Sequence, residues 1–67
     1  MRKEEILKAL DEGHKVTHIC FTEDEWIKKH NSTQYIFEDD VICDIDLFWA
    51  DRTGIGFNTG WAIWEPI

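Results

Sequence analysis

Four tryptophans, four phenylalanines and one tyrosine fall within a chain of 67 residues, and no other feature constrains its folding more. A chain this short buries only about 60% of the surface it exposes when unfolded. It can therefore build one thin core in a single domain spanning residues 1–67. Domains of this size are held by a staple, by a partner subunit or by dense apolar packing, and large rings supply the last of these. The rings are read first as core. They are also more numerous than so small an interior hides with ease, which places one or two at a groove or a subunit interface. Homo-oligomerisation is expected on the same ground, since a two-fold assembly buries surplus rings and builds sites between subunits.

Fourteen acidic residues against seven basic ones leave a formal charge of −7, which repels phosphate backbones and argues against direct binding of nucleic acid. The same charge suits a partner with a basic surface, including a nucleic-acid-binding enzyme whose channel is blocked. The alternative is a merely solvated acidic face. No run of residues approaches the roughly 18 to 20 apolar positions of a membrane span. The opening Met1-Arg2-Lys3-Glu4-Glu5 leads into an amphipathic segment instead of a signal sequence. A cytoplasmic location is expected, with Cys20 and Cys43 reduced and behaving as small buried hydrophobes. Asn31-Ser32-Thr33 matches a glycosylation acceptor but reads as a polar turn.

Ile6, Leu7 and Leu10 fall at helical spacing with Ala9 beside them, and charged residues take the opposite face. A helix over residues 3–12 follows, stopped by Gly13. Val16 to Phe21 is rich in β-branched and apolar types and predicts a strand. Thr22 and Glu25 have capping-box spacing, which would start a helical turn. Trp26-Ile27 and Tyr35-Ile36-Phe37 flank the turn formers His30 to Thr33, the layout of a β-hairpin. The hairpin is the favoured reading. Glu38-Asp39-Asp40 makes a turn into a short strand at Val41-Ile42-Cys43, and Asp44 can cap a helix running to about Arg52. Ile45, Phe48 and Trp49 share the face of that helix which must be buried. Thr53 to Gly60 reads as a loop, and Trp61-Ala62-Ile63-Trp64 as the closing strand before Pro66. The fold class is α+β: an N-terminal helix, a small antiparallel sheet of about four strands, and a second short helix before the last strand.

No spacing announces a nucleophile, base and orienting group, so the chain is read as a non-enzyme without a cofactor. His14, His18 and Cys20, joined by Cys43, are the candidate zinc ligands, but the spacing matches no finger or knuckle and structural histidine is preferred. Gly54-x-Gly56-x-x-x-Gly60 departs from the dinucleotide fingerprint and contains no lysine, so it reads as a flexible turn. The aromatic set is more informative. Trp26, Tyr35, Trp49 and Trp61, with Arg52 close to Trp49 and with Trp64 nearby in sequence, offer ring faces for a nucleobase and a guanidinium fork for a phosphate. Trp26, Tyr35, Trp49, Arg52 and Trp61 are accordingly the candidate ligand-binding residues. The competing reading makes these rings the core and Arg52 an ion-pair partner of Asp44, Asp46 or Asp51.

The run Glu5 to Val16, in which a helix ends in a glycine and leads into a strand, resembles the opening of small phage and prophage proteins. Thr17-His18, Phe21, Glu25-Trp26, Glu38-Asp39-Asp40, Phe48-Trp49, Arg52 and Gly60-Trp61 extend that likeness over most of the chain. The opening helix-glycine-strand and the closing tryptophan strand are also distantly similar to the phage Thoeris anti-defence proteins of the second type. That resemblance implies an oligomeric sponge for a nucleotide-derived immune signal, and relatives of that group are linked to inhibition of CRISPR nucleases. It implies a role and no particular binding residue. Three functions are thus expected in order: a counter-defence protein that sequesters a host immune component such as a small nucleotide; an acidic inhibitor of a basic host enzyme (nuclease, CRISPR effector or glycosylase), motivated by the acids from Glu38 to Asp51; and a structural or regulatory phage module without a ligand.

Overall fold

A computed structural model describes residues 1–66. Helix α1 (Lys3–Asp11) begins where the Glu5 carboxylate accepts the Arg2 backbone N–H at 3.0 Å, and buries Ile6, Ala9 and Leu10. It stops at Gly13, whose φ of 91° is a conformation that only glycine adopts without strain. Strands β1 (Val16–His18), β2 (Ile27–Asn31), β3 (Gln34–Phe37) and β4 (Ile42–Asp44) follow, then α2 (Ile45–Ala50), a 3-10 turn at Ile55–Phe57 and β5 (Trp61–Ile63). The strands form one antiparallel sheet in the order β4-β3-β2-β1-β5. The α+β architecture, the N-terminal helix and the short helix before the last strand are as the sequence predicts, and the sheet has five strands.

The hairpin reading of the middle segment holds. Ser32-Thr33 joins β2 to β3, with the Asn31 side-chain oxygen accepting the Thr33 N–H at 3.0 Å. The Thr22–Glu25 spacing closes one turn, Glu25 N–H to Thr22 O at 3.1 Å, and no helix grows from it.

The alternation of strand side chains, which point to opposite faces at successive residues, divides the molecule. Val16 pairs with Ile27 and Ile63, His18 with Trp61, Ile27 with Phe37 and Tyr35 with Cys43. These residues face the helices, and Val16, Ile27, Tyr35 and Trp61 join Ile6, Ala9, Leu10 and Phe48 in the buried core. Thr17, Lys28, Gln34, Ile36, Ile42, Asp44 and Ala62 lie on the other face, and all are half-buried or exposed. No helix of the described residues is long and apolar enough to cross a membrane.

Three local expectations are corrected. Strand β1 ends at His18, because the chain turns there with Phe21 N–H bonded to His18 O at 2.9 Å, and Ile19 is left 81% exposed. Cys20 is consequently exposed; Cys43 is half-buried, and neither forms a disulfide. Asp44 occupies the N-cap position of α2, yet its side chain caps nothing and instead accepts a hydrogen bond from the Gln34 amide at 3.3 Å.

Candidate functional site

Of the five candidate ligand contacts, Tyr35, Trp49 and Trp61 pack together with Arg52 against the neighbouring Phe48, whereas Trp26 lies apart against Trp64. Tyr35 and Trp61 are each 2% exposed and belong to the core, which corrects their assignment to a ligand surface. Trp61 packs edge-on against Trp49 at 5.4 Å and against His18 at 4.6 Å, and its indole N–H donates to Phe57 O at 2.8 Å. The Tyr35 hydroxyl accepts the Trp49 indole N–H at 2.9 Å. Burial holds the Tyr35 hydroxyl above its ordinary pKa, opposed by that donated hydrogen bond. Arg52 is half-buried with its guanidinium 4.0 Å from the Phe48 ring centre, and it donates to Phe48 O at 3.1 Å. Among the described residues Lys29 pairs with Asp11 and His14 lies 3.9 Å from Glu12, while Arg52 makes no ion pair with Asp44, Asp46 or Asp51, the partners expected. The fork expected to meet a phosphate is therefore used to close the C-terminal turn of α2.

The metal candidates are dispersed. His18 is 3% exposed; its Nδ1 accepts the Cys20 backbone N–H at 3.1 Å. That leaves Nε2 to carry the proton and donate to Thr59 O at 2.8 Å and Gly56 O at 3.0 Å. Both ring nitrogens are thus engaged in holding the end of β1 to the glycine-containing loop. The loop is built around this contact: Gly60 has φ 86°, and a Cβ there would lie 3.0 Å from His18 Nε2. His14 is exposed beside Glu12 at 3.9 Å.

Three surfaces remain open. On the outer face of the sheet, Trp26 and Trp64 lie with ring centres 6.0 Å apart, and the Lys15 ammonium sits 4.4 Å from the first and 5.5 Å from the second. Between helices α1 and α2, the half-exposed Trp49 ring is covered by the Lys3 ammonium at 4.5 Å. A shallow depression lined by Arg2, Lys3, Glu4, Leu7, Asn58 and Thr59 lies beside Lys3. The third surface is the β4 edge. Val41 O accepts the Phe37 N–H and Ile45 N–H donates to Thr33 O. Antiparallel alternation then turns the backbone groups of Ile42 and Asp44 away from β3. The other edge of the sheet is met by Met1, whose nitrogen donates to Trp61 O at 2.8 Å and whose carbonyl accepts the Trp61 N–H at 3.3 Å.

The charge around these surfaces is uneven. Residues 30 to 51 contain Glu38, Asp39, Asp40, Asp44, Asp46 and Asp51 and no lysine or arginine. All six acids are exposed, and Asp39, Asp40, Asp44 and Asp46 lie on or beside β4 together with the exposed apolar Val41 and Ile42. Fold and surface together define a one-sided α+β domain with an aromatic cluster on its open face and an acidic open edge. No protein-family model matches this chain, and no curated protein or solved structure matches it.

Lys15 and Trp64 carry the outer-face cluster, and neither is among the five candidate contacts. The available signal is parity. If Trp61 and Ile63 face inward, Trp64 faces outward, and Trp26, one residue before the inward Ile27, faces outward with it.

Proposed function

We propose that this chain is a non-catalytic counter-defence protein of the kind it resembles in sequence, and that it acts by occupying a basic surface of a host protein. The observation that carries this reading is the acidic edge. Four exposed carboxylates, Asp39, Asp40, Asp44 and Asp46, lie on or beside an edge strand whose Ile42 backbone groups face away from β3, and no lysine or arginine falls between residues 30 and 51. Such an edge combines long-range attraction for a cationic surface with short-range pairing groups. Arg52, Tyr35 and Trp61 are engaged within the fold, which weakens a nucleotide as the first choice of target. Immobilised protein exposed to bacterial lysate should retain basic proteins at low ionic strength and release them as salt is raised, because exposed charge pairs are screened beyond about 10 Å at 0.1 M salt. Retention that is indifferent to salt argues against this reading.

A second reading, sequestration of a small nucleotide, is favoured by one specific place. Trp49 offers a partly exposed ring with Lys3 above it and Arg2 close by in the adjoining depression. Calorimetric titration with a panel of cyclic and ADP-ribose-derived nucleotides tests it, with Trp49→Ala as the control expected to abolish any heat of binding. No response across the panel removes this reading and leaves the first standing.

A further inference from the structure

The outer-face tryptophans hold a cation already, and it is the chain's own. Lys15 makes no salt bridge among the described residues; its ammonium is placed over Trp26 at 4.4 Å and Trp64 at 5.5 Å. The Trp64 ring is held by its indole N–H donating to Glu23 O at 2.9 Å, and its backbone by an N–H donated to Lys15 O at 2.8 Å. Trp26 lies tilted 46° to it. Two ring faces converging on one ammonium is the arrangement by which aromatic cages recognise alkylammonium groups.

The surroundings select the sign of the ligand. The depression beside Trp64 is lined by Thr17, Glu23, Asp24, Ile63, Glu65 and Pro66 as well as the ring itself. Three of these are acids and none is basic. A phosphate is repelled beside these acids, whereas an ammonium or guanidinium on the ring pair is drawn by the same negative surroundings. We propose that the Trp26–Trp64 pair is a binding site for a lysine or arginine side chain of a basic partner, with Lys15 as its resting occupant. This rests on the reading of a basic protein target and adds a second contact to it, on the outer face of the sheet away from helices α1 and α2.

The test is an NMR titration that follows the indole N–H signals of Trp26 and Trp64, with Nα-acetyl-arginine amide and Nα-acetyl-lysine amide as probes and the uncharged Nα-acetyl-norleucine amide as control. Removing the internal competitor should tighten binding. Lys15→Ala is expected to bind the cationic probes about tenfold more tightly than the unaltered chain, which corresponds to about 1.4 kcal/mol of displaced cation–π contact. Lys15→Met, which keeps the apolar stem, serves if the alanine variant unfolds. Trp64→Ala should abolish the response in either background. The proposal is overturned if a folded Lys15→Met variant shows no saturable shift, if norleucine amide shifts the signals as strongly, or if Trp64→Ala leaves binding intact. Salt-sensitive retention of basic proteins alongside a silent ring pair would sink this site alone; loss of both would sink the reading on which it rests.

Discussion

At the scale of single residues, His18 is, outside the aromatic core, the charged or polar side chain that the described fold buries most deeply. Its ring joins β1 to the loop that delivers β5, through one donated proton shared by two carbonyls and one accepted backbone N–H. His18→Ala leaves those backbone groups unpaired in a site that is 3% exposed, and is expected to cost about 3 kcal/mol in urea unfolding, combining lost hydrogen bonds with a cavity. A loss below about 0.5 kcal/mol, the range of ordinary surface changes, would contradict this role. Gly60 and Gly13 separate backbone strain from crowding. Both have positive φ, but a Cβ meets nothing within 4 Å at Gly13 and meets His18 at 3.0 Å at Gly60. Gly13→Ala should cost about 1 kcal/mol and Gly60→Ala distinctly more, because the second must also displace the histidine. Tyr35 sets a pH dependence. Its hydroxyl pKa is raised above the ordinary tyrosine value in the folded protein, chiefly by burial, so the unfolded chain releases that proton first as pH rises. The stability it contributes is complete below pH 10 or so and is lost as pH climbs through the higher folded value. Tyr35→Phe should flatten the alkaline limb of a stability profile, while lowering its plateau by about 1–3 kcal/mol because the Trp49 N–H loses its acceptor.

At the scale of elements, α2 shows how a very short helix is kept. Six residues are too few for independent helicity, and its stability comes from the buried Phe48, which meets Tyr35, Phe37 and Trp49 at ring distances of 5.2, 6.0 and 4.9 Å. Phe48→Ala should cost about 3–5 kcal/mol and remove the helix with it, read as a fall in chemical-denaturant midpoint. Lys29→Ala, which breaks an exposed pair with Asp11 between β2 and α1, should stay under about 1 kcal/mol. The elements themselves were legible in the sequence because their signals are local: Gly13 after the periodic Ile6 and Leu10, turn formers between Ile27 and Tyr35, and Ile45, Phe48 and Trp49 on one helical face. The fate of the rings was not, since it depends on parity and on which sheet face the helices cover. Tyr35 and Trp61 lie on the covered face and Trp26 and Trp64 end on the bare one, yet all four are equally aromatic in composition. Cys20 was misplaced for a related reason. Apolar neighbours suggested a continuing strand, but the His18 ring draws the Cys20 N–H to itself and the chain turns outward.

At the scale of the whole molecule, the sheet is covered on one face and bare on the other, one edge is met by Met1 and the other is free, and the free edge carries acids without cations. A net charge of −7 disfavours phosphate backbones on general electrostatic grounds; its concentration beside β4 is the feature on which the proposed basic partner rests. The most direct measurement compares the proteins retained from bacterial lysate by the unaltered chain and by the folded triple variant Asp39→Asn, Asp44→Asn, Asp46→Asn, quantified by mass spectrometry at low and raised salt. Neutralising those three carboxylates should release a specific basic partner that the unaltered chain holds at low salt. Identical retention by both proteins at both ionic strengths would contradict the assignment of function to the acidic edge.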